Sequence, residues 1–416
     1  MDQTDHLLNR TDETKLAPDE LVRLRCRLAK ELEERGDYEA ARDVMSPFWQ
    51  RVGERPVTDG LDEASAAEVL LRAGVLTGWS GSANQLQGAQ EAAKDLISDS
   101  LLIFERLRLG EKAAEAEVEL AYCYWREGAL DEARVLLQKA LDRLGDNGGE
   151  IKAVALLRKA LVESSATRFG DSLRVLLDSA AIFEASDNQT LKGRFHNELA
   201  YNFQSLASTE NRADYIDRAL VEFTAASFHF EQAGHVRYRA HVENNLGLLL
   251  HSLGKLDEAH EHLDKARRLF AKLKNDVYIA QVDETRSRLF LAQGRAREAE
   301  KTARGAIRVF TKAGEHALLA EALNTQGKAL VQLERYSEAR VALDHAATVA
   351  QQAGSIEFAG LSLLTLIEQL GQRLTAEELR ESYKRADEML VNSQHPEIFV
   401  RLRRAARQAL DAQPST

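Results

Sequence analysis

Small and large apolar positions recur along this chain with a long, fixed period. A small residue closes each of a series of similar segments at Ala41, Ala93, Ala133, Ser172, Ala219, Ala259, Ala299 and Ala339, and from Ala219 onward the interval is 40 residues every time. A second marker keeps that step at Ala226, Ala266, Ala306, Ala346 and Ala386. A third small residue comes early in each unit, at Ala29, Gly74, Ala121, Ala160, Ala200, Gly247, Ser287 and Gly327. Three small positions in fixed phase predict one helical hairpin per unit. The early residue lies on a first helix, and the two later ones, seven apart, share one face of a second. Small side chains let the two helices approach closely while large neighbours fill the space between units. Gly128, Gly254 and Gly294 stand five residues before a marker alanine, at the turn, where glycine takes the left-handed conformation that ends a helix. Each hairpin carries apolar residues on more than one face and is stable only against its neighbours.

Two units are stretched. Twelve residues separate Gly81 from Ala93 and Ala207 from Ala219, where regular units use five. The seven extra residues, at 82–92 and 208–218, predict a longer turn or two added helical turns; a loop over the groove is the functional alternative. Residues 1–20, with six acids against two bases, are expected to form a flexible tail. At the other end Leu379 stands where the marker is due, so the pattern is expected to decay there. Pro396 should then open a capping helix over 396–412, with Phe399, Leu402, Ala406 and Leu410 on one face and Arg401, Arg403, Arg404 and Arg407 on the others.

The segments Gly36-Asp37-Tyr38-Glu39-Ala40-Ala41, 128–133 and 254–259 carry a resemblance to the tetratricopeptide repeat family. It covers residues 21–390. It implies an all-α fold, a right-handed superhelical solenoid of about eight to nine hairpins closed by the C-terminal helix. Two departures stand out. The period is 40 rather than about 34, so helices are about a turn longer. The proline that commonly closes each unit is missing: none occurs between Pro56 and Pro396, a run of 339 residues. Forty-residue variants resemble arrays in bacterial signal-responsive regulators and peptide-binding adaptors.

Composition narrows the function classes. The formal net charge of −11 argues against an autonomous nucleic-acid binder, which needs a concentrated basic face. Cys26 and Cys123 form no CxxC pair and are expected to be reduced, part-buried thiols. The first residues lack a basic and an apolar region of the secretory kind, and no apolar stretch reaches membrane-spanning length. A cytoplasmic protein is expected.

No catalytic motif is present. Gly247 to Gly254-Lys255 has the wrong spacing for a phosphate loop, and Leu256 follows the lysine. His260 and His262 are two apart on a helix, so they point in different directions and do not make a zinc pair. No nucleophile elbow follows a strand. Trp49, Trp79 and Trp125 are expected to be packing residues. Neither enzymatic activity nor a cofactor is expected.

What remains is the concave surface, which the first helices line in arrays of the family this chain resembles. Three residues before the early small position the sequence has Asn197, Asn244, Glu284 and Asn324. An asparagine amide both donates and accepts, so it can pair with the backbone of an extended peptide of any sequence. Arg194, Tyr201, Arg237, His241, Arg288 and Lys328 lie nearby and would favour acidic side chains or a terminal carboxylate. His241, one turn from Arg237 and Asn244, is a candidate to titrate near neutrality. The expected function is a non-catalytic scaffold or adaptor that takes a protein or peptide segment in its groove, in bacterial signalling or transcription regulation. No direct nucleic-acid partner and no membrane are expected. A small-molecule or nucleotide sensor, or an architectural protein that forms homo-oligomers, are the alternatives.

Overall fold

The computed structural model describes residues 16–83, 86, 88–210, 212–393 and 396–411. Among them the chain is all-helical, with no β-strand. Helices α1 (Pro18–Glu34) and α2 (Tyr38–Met45) make the first hairpin, α3 (Glu63–Ala83) and α4 (Ala89–Arg106) the second, α5 (Gly110–Arg126) and α6 (Leu130–Leu144) the third. Helix α7 (Gly149–Ser165) pairs with α8 (Phe169–Asp178), which the short α9 (Ala180–Glu184) continues. Helices α10 (Gln189–Glu210) and α11 (Ala213–Gln232) complete a first compact unit ending at His235. The second unit begins at Val236. It contains α12 (Val236–Ser252) with α13 (Leu256–Lys272), α14 (Asp276–Ala292) with α15 (Ala296–Ala313), α16 (His316–Gln332) with α17 (Tyr336–Gln352), α18 (Ile356–Leu370) with α19 (Ala376–Leu390), and a final α20 (Pro396–Asp411).

The periodic small residues are where the two helices of a hairpin meet. A Cβ on Gly247 would lie 2.7 Å from Cδ2 of Leu263, and one on Gly327 would lie 2.6 Å from Cγ of Leu343. In the hairpin between these two, Ser287 takes the same place and its hydroxyl donates to the carbonyl of the marker residue Ala299 at 2.7 Å. Second helices bury a stripe spaced four, three and four residues: Ala259, Leu263, Ala266 and Phe270, then Ala299, Ala303, Ala306 and Phe310. That spacing is the core-facing stripe of an amphipathic helix. Phe230 in the first unit and Phe270 and Phe310 in the second thus stand 40 residues apart in equivalent core positions, each burial worth about 1.5–3 kcal/mol.

A valine at position 327 tests the close approach. Gly327→Val is expected to destabilise the second unit by about 1–3 kcal/mol, the usual cost of overpacking, in denaturant unfolding followed by circular dichroism. An unchanged midpoint would contradict this packing.

In the stretched units the helices are longer, one of the two expected forms: α3 has 21 residues and α10 has 22; residues 84, 85, 87 and 211 lie outside the described residues. Other expectations are corrected. The pattern does not decay at Leu379. It is 3% exposed, and with Ala386 and Leu390 it continues the buried stripe on α19. The close approach has moved to Gly360, where a Cβ would lie 2.6 Å from Cγ of Leu390. Helix α20 buries Ile398, Leu402, Ala405 and Ala409, while Phe399 and Leu410 are 37% and 81% exposed. Two apolar stripes one residue out of register share Leu402 on this helix, and the cluster around Leu363, Ile367 and Leu379 selects the first. The tail expected over 1–20 falls, for residues 1–15, outside the described residues, and Pro18 already opens α1.

Candidate functional site

In both units the first helices of successive hairpins share a polar face, but it is filled differently. In the first unit the side chains fill it themselves. Arg72 of α3 is 3% exposed and reaches Glu33 of α1 at 3.2 Å and Glu115 of α5 at 2.8 Å. Lys30 and Lys112 add bonds to Glu115 at 2.8 and 3.1 Å, and Arg158 of α7 grips Glu119 with both carboxylate oxygens at 2.9 Å. What is left is a cavity of 70 Å³, which Glu34 and Arg194 also line. Beside it Tyr38, Trp79, Tyr122 and Trp125 stack with ring centroids 5.0, 5.4 and 5.1 Å apart, and Arg126 lies 4.2 Å over Trp79. Trp79 and Trp125 belong to this ladder, whereas Trp49 is a core residue, 2% exposed.

The charges of this network depend on one another. Burial pushes Glu33 up from 4.5 to about 7, against the pull of Arg72. Burial acts the same way on Glu115, but Arg72, Lys30 and Lys112 outweigh it and hold that carboxyl far below its ordinary range. Folding therefore favours the protonated form of Glu33, and between pH 4.5 and 7 the folded chain binds a proton there that the unfolded chain has lost. Stability from this group is present below 4.5 and declines as pH rises through that window. Glu33→Gln is expected to flatten this part of the stability–pH curve, measured by denaturant midpoints from pH 4.5 to 8. Superimposable curves would contradict the burial of a titrating Glu33.

The second unit leaves its first-helix face open. A cavity of 740 Å³ is lined by His251 of α12, Arg288, Leu291 and Ala292 of α14, Glu321, Asn324, Thr325, Lys328 and Gln332 of α16, Phe358, Leu361, Thr365 and Gln369 of α18, and Arg401 of α20. Arg288 is held by Glu284 and Glu321, both at 2.7 Å. Arg401 is held by both oxygens of Glu368 at 2.8 and 2.9 Å. Lys328 makes no ion pair among the described residues. The residue as a whole is exposed, but the cavity walls partly desolvate its ammonium, and this, then Arg288 and Arg401, push it below its ordinary range. Burial and Arg288 likewise push His251 down. Asn324 lines this cavity with a buried side-chain oxygen that accepts no hydrogen bond, and Asn244, 7% exposed, has a buried amide oxygen in the same condition. An unsatisfied buried acceptor costs about 1–3 kcal/mol.

Of the expected site residues, the structure brings Arg288, Asn324 and Lys328 together in this cavity. Asn244 does not line it. Glu284, 3% exposed, is committed to Arg288 and to the Thr325 hydroxyl, which donates to it at 2.7 Å; it is a strut rather than an open rung. Arg237 lies 6.0 Å over the Tyr278 ring. His241 does not titrate near neutrality: it is boxed edge-on by Phe270 and Tyr278 at 4.9 and 4.8 Å, and burial with Arg237 pushes it down to about 4. Asn197, Arg194 and Tyr201 belong to the first unit. There Arg194 lines the small cavity, Asn197 is half-buried, and Tyr201, 47% exposed, meets Phe169 edge-on at 6.2 Å.

His260 and His262 diverge as their spacing implies. His262 Nδ1 pairs with Glu243 at 2.7 Å, whereas His260 Nε2 meets Gln293 at 3.3 Å. Among the described residues no group of three or more His, Cys, Asp or Glu is arranged to hold a metal ion, and no helix is long and apolar enough to cross a membrane. Cys26 and Cys123 are buried free thiols, each pushed by burial up to about 12.

Sequence reasoning missed Arg401, which lies outside the 40-residue phase, and the whole first-unit network. A signal for the latter exists. Two residues before the early small position the chain reads Arg72, Glu119, Arg158 and Glu198 in successive hairpins, alternating charges that adjacent first helices can pair. Threonines at 285, 325 and 365 keep the 40-residue step and mark the face that the open cavity uses.

No family model matches the chain, and no curated protein matches it. Solved structures do. A Rap protein complexed with Competence and Sporulation Factor is similar with a TM-score of 0.57 at 13% identity, over 84% of this chain and 100% of that one. A signal transduction ATPase with a tetratricopeptide repeat sensor, from Pyrococcus horikoshii, gives 0.56 at 13% identity over 91% of this chain and 55% of that one. Aspartyl phosphate phosphatase F from Bacillus subtilis gives 0.54 at 13% identity over 96% and 97%. At these identities the likeness is one of fold. Among the described residues the chain has an all-α helical-repeat fold, similar to that of tetratricopeptide repeat arrays.

Proposed function

We infer that the chain is a non-catalytic recognition module that holds an extended peptide, or an extended segment of a partner protein, on the first-helix face of its second unit. The observation that carries this is the amide oxygen of Asn324 in a 740 Å³ cavity beside Lys328, both without a partner among the described residues. A peptide N–H satisfies the asparagine oxygen, and the amide nitrogen can donate to a peptide carbonyl. An anionic side chain or terminal carboxylate gives Lys328 the partner it lacks. Arg288 is not free for that role, because Glu284 and Glu321 neutralise it. The fold supports the reading by analogy: a Rap protein of this fold was solved with Competence and Sporulation Factor, and another array of this fold serves as a sensor. A regulatory role follows if the bound segment is a signal or a regulated protein.

Selection of random displayed peptides on the full chain tests the proposal. Wild-type protein is expected to enrich sequences containing an acidic position, and Lys328→Glu to enrich none of them. Equal enrichment by both would sink the groove assignment. A small-molecule sensor is the second reading, supported by a cavity volume within the range of such sites, about 300–1,000 Å³. It predicts a thermal shift with extracts filtered free of peptides.

A further inference from the structure

The open cavity does not end at α18. A second cavity, of 760 Å³, lies between the start of α18 and helix α20, and Phe358, Leu361 and Arg401 line both. Its character differs from that of the first. Phe358, Leu361 and Ile398 give it an apolar floor, and Ile356 at its edge is 45% exposed. Two carboxylates border it, from Glu357 and Glu397, against one cation, Arg401, whose charge Glu368 offsets. Arg401, fixed against Glu368 of α18, stands where one cavity passes into the other.

We propose that this cavity is a second subsite for the same extended peptide, taking one large apolar side chain of it. The inference rests on the peptide reading of the neighbouring cavity. Continuity argues for one ligand, because three residues are common to both spaces. Chemistry argues for the order of recognition. The apolar floor stabilises a leucine- or phenylalanine-sized group by removing it from water, and Glu357 and Glu397 disfavour a second acidic residue beside it while accommodating a basic one. The ligand is thus a peptide with an anionic group over Lys328 and, at a fixed separation, a large apolar residue without an acidic neighbour. Helix α20 then has a role besides covering the end of the stack, since without it this subsite has only one wall.

The test uses random peptides displayed on phage, selected on the full chain and on Ile356→Glu. Ile356 is the exposed first residue of α18, where a carboxylate suits the helix N-terminus, so this variant is expected to fold as wild type does. Wild type should yield a consensus with an acidic position and a large apolar position at constant spacing. Ile356→Glu should keep the acidic position and lower recovery of peptides with the apolar residue at least tenfold. A wild-type consensus with an acidic position but no fixed apolar one, or an apolar preference indifferent to Ile356→Glu, overturns the subsite and leaves the groove reading standing. Failure of wild type to enrich any peptide overturns both.

Discussion

Arg72→Met is expected to destabilise the first unit by about 3–5 kcal/mol, the range for removing one partner of a buried ion pair. Arg72 is 3% exposed and is the cation common to Glu33 and Glu115. Burial works against its charge, but Glu115 and Glu33 outweigh that and keep the guanidinium protonated. A methionine leaves both carboxylates inside the unit. Glu115 retains Lys30 and Lys112, whereas Glu33 has no other salt bridge in the network and must take up a proton. The loss should accordingly be smaller at pH 5.5 than at pH 8. The triple variant Arg72→Met, Glu33→Gln, Glu115→Gln should recover much of it, since a neutral set of similar volume avoids the desolvation of three charges. Denaturant unfolding of the three proteins at both pH values decides the matter. A single variant as stable as wild type at pH 8 would show that the network is not the support described.

The second large effect is on binding. With Lys328→Glu added to Asn324→Ala, a bound peptide loses an amide contact worth about 0.5–1.5 kcal/mol and a charged one worth about 1.5–3, and it meets a like charge besides. At 1.4 kcal/mol per tenfold, the two contacts alone amount to roughly a 30- to 1,600-fold loss of affinity. Stability should move the other way for Asn324→Ala alone. The substitution removes a buried acceptor without a donor and puts a better helix former in α16. A residue whose removal weakens binding while strengthening the fold is retained for its ligand.

The fold was legible because its constraints are steric and repeat. Gly247 and Gly327 face Leu263 and Leu343 with no room for a side chain, and the same step places Asn324 and Lys328 on the first-helix face. The site was legible only in part, because phase gives a residue's direction but not its partners. Phase put His241 and Arg288 on the same face, yet the aromatic rings around one and the carboxylates around the other become visible only when neighbouring hairpins are in place. Helix α20 escaped for a related reason. Its two apolar stripes are equally good in sequence, and only the packing against Leu363 and Ile367 shows that Ile398 and Ala405 point inward and that Arg401 therefore reaches the cavity. The first-unit network was present as alternating charges at 72, 119, 158 and 198, but single charges on a helix ordinarily imply a solvated face.

The most direct test of the central claim is the dissociation constant of one display-selected peptide, labelled for fluorescence anisotropy, with wild-type protein and with Asn324→Ala. Weaker binding by the variant, by about two- to tenfold, is the predicted result. Equal dissociation constants for the two proteins would contradict the assignment of this face as a peptide site.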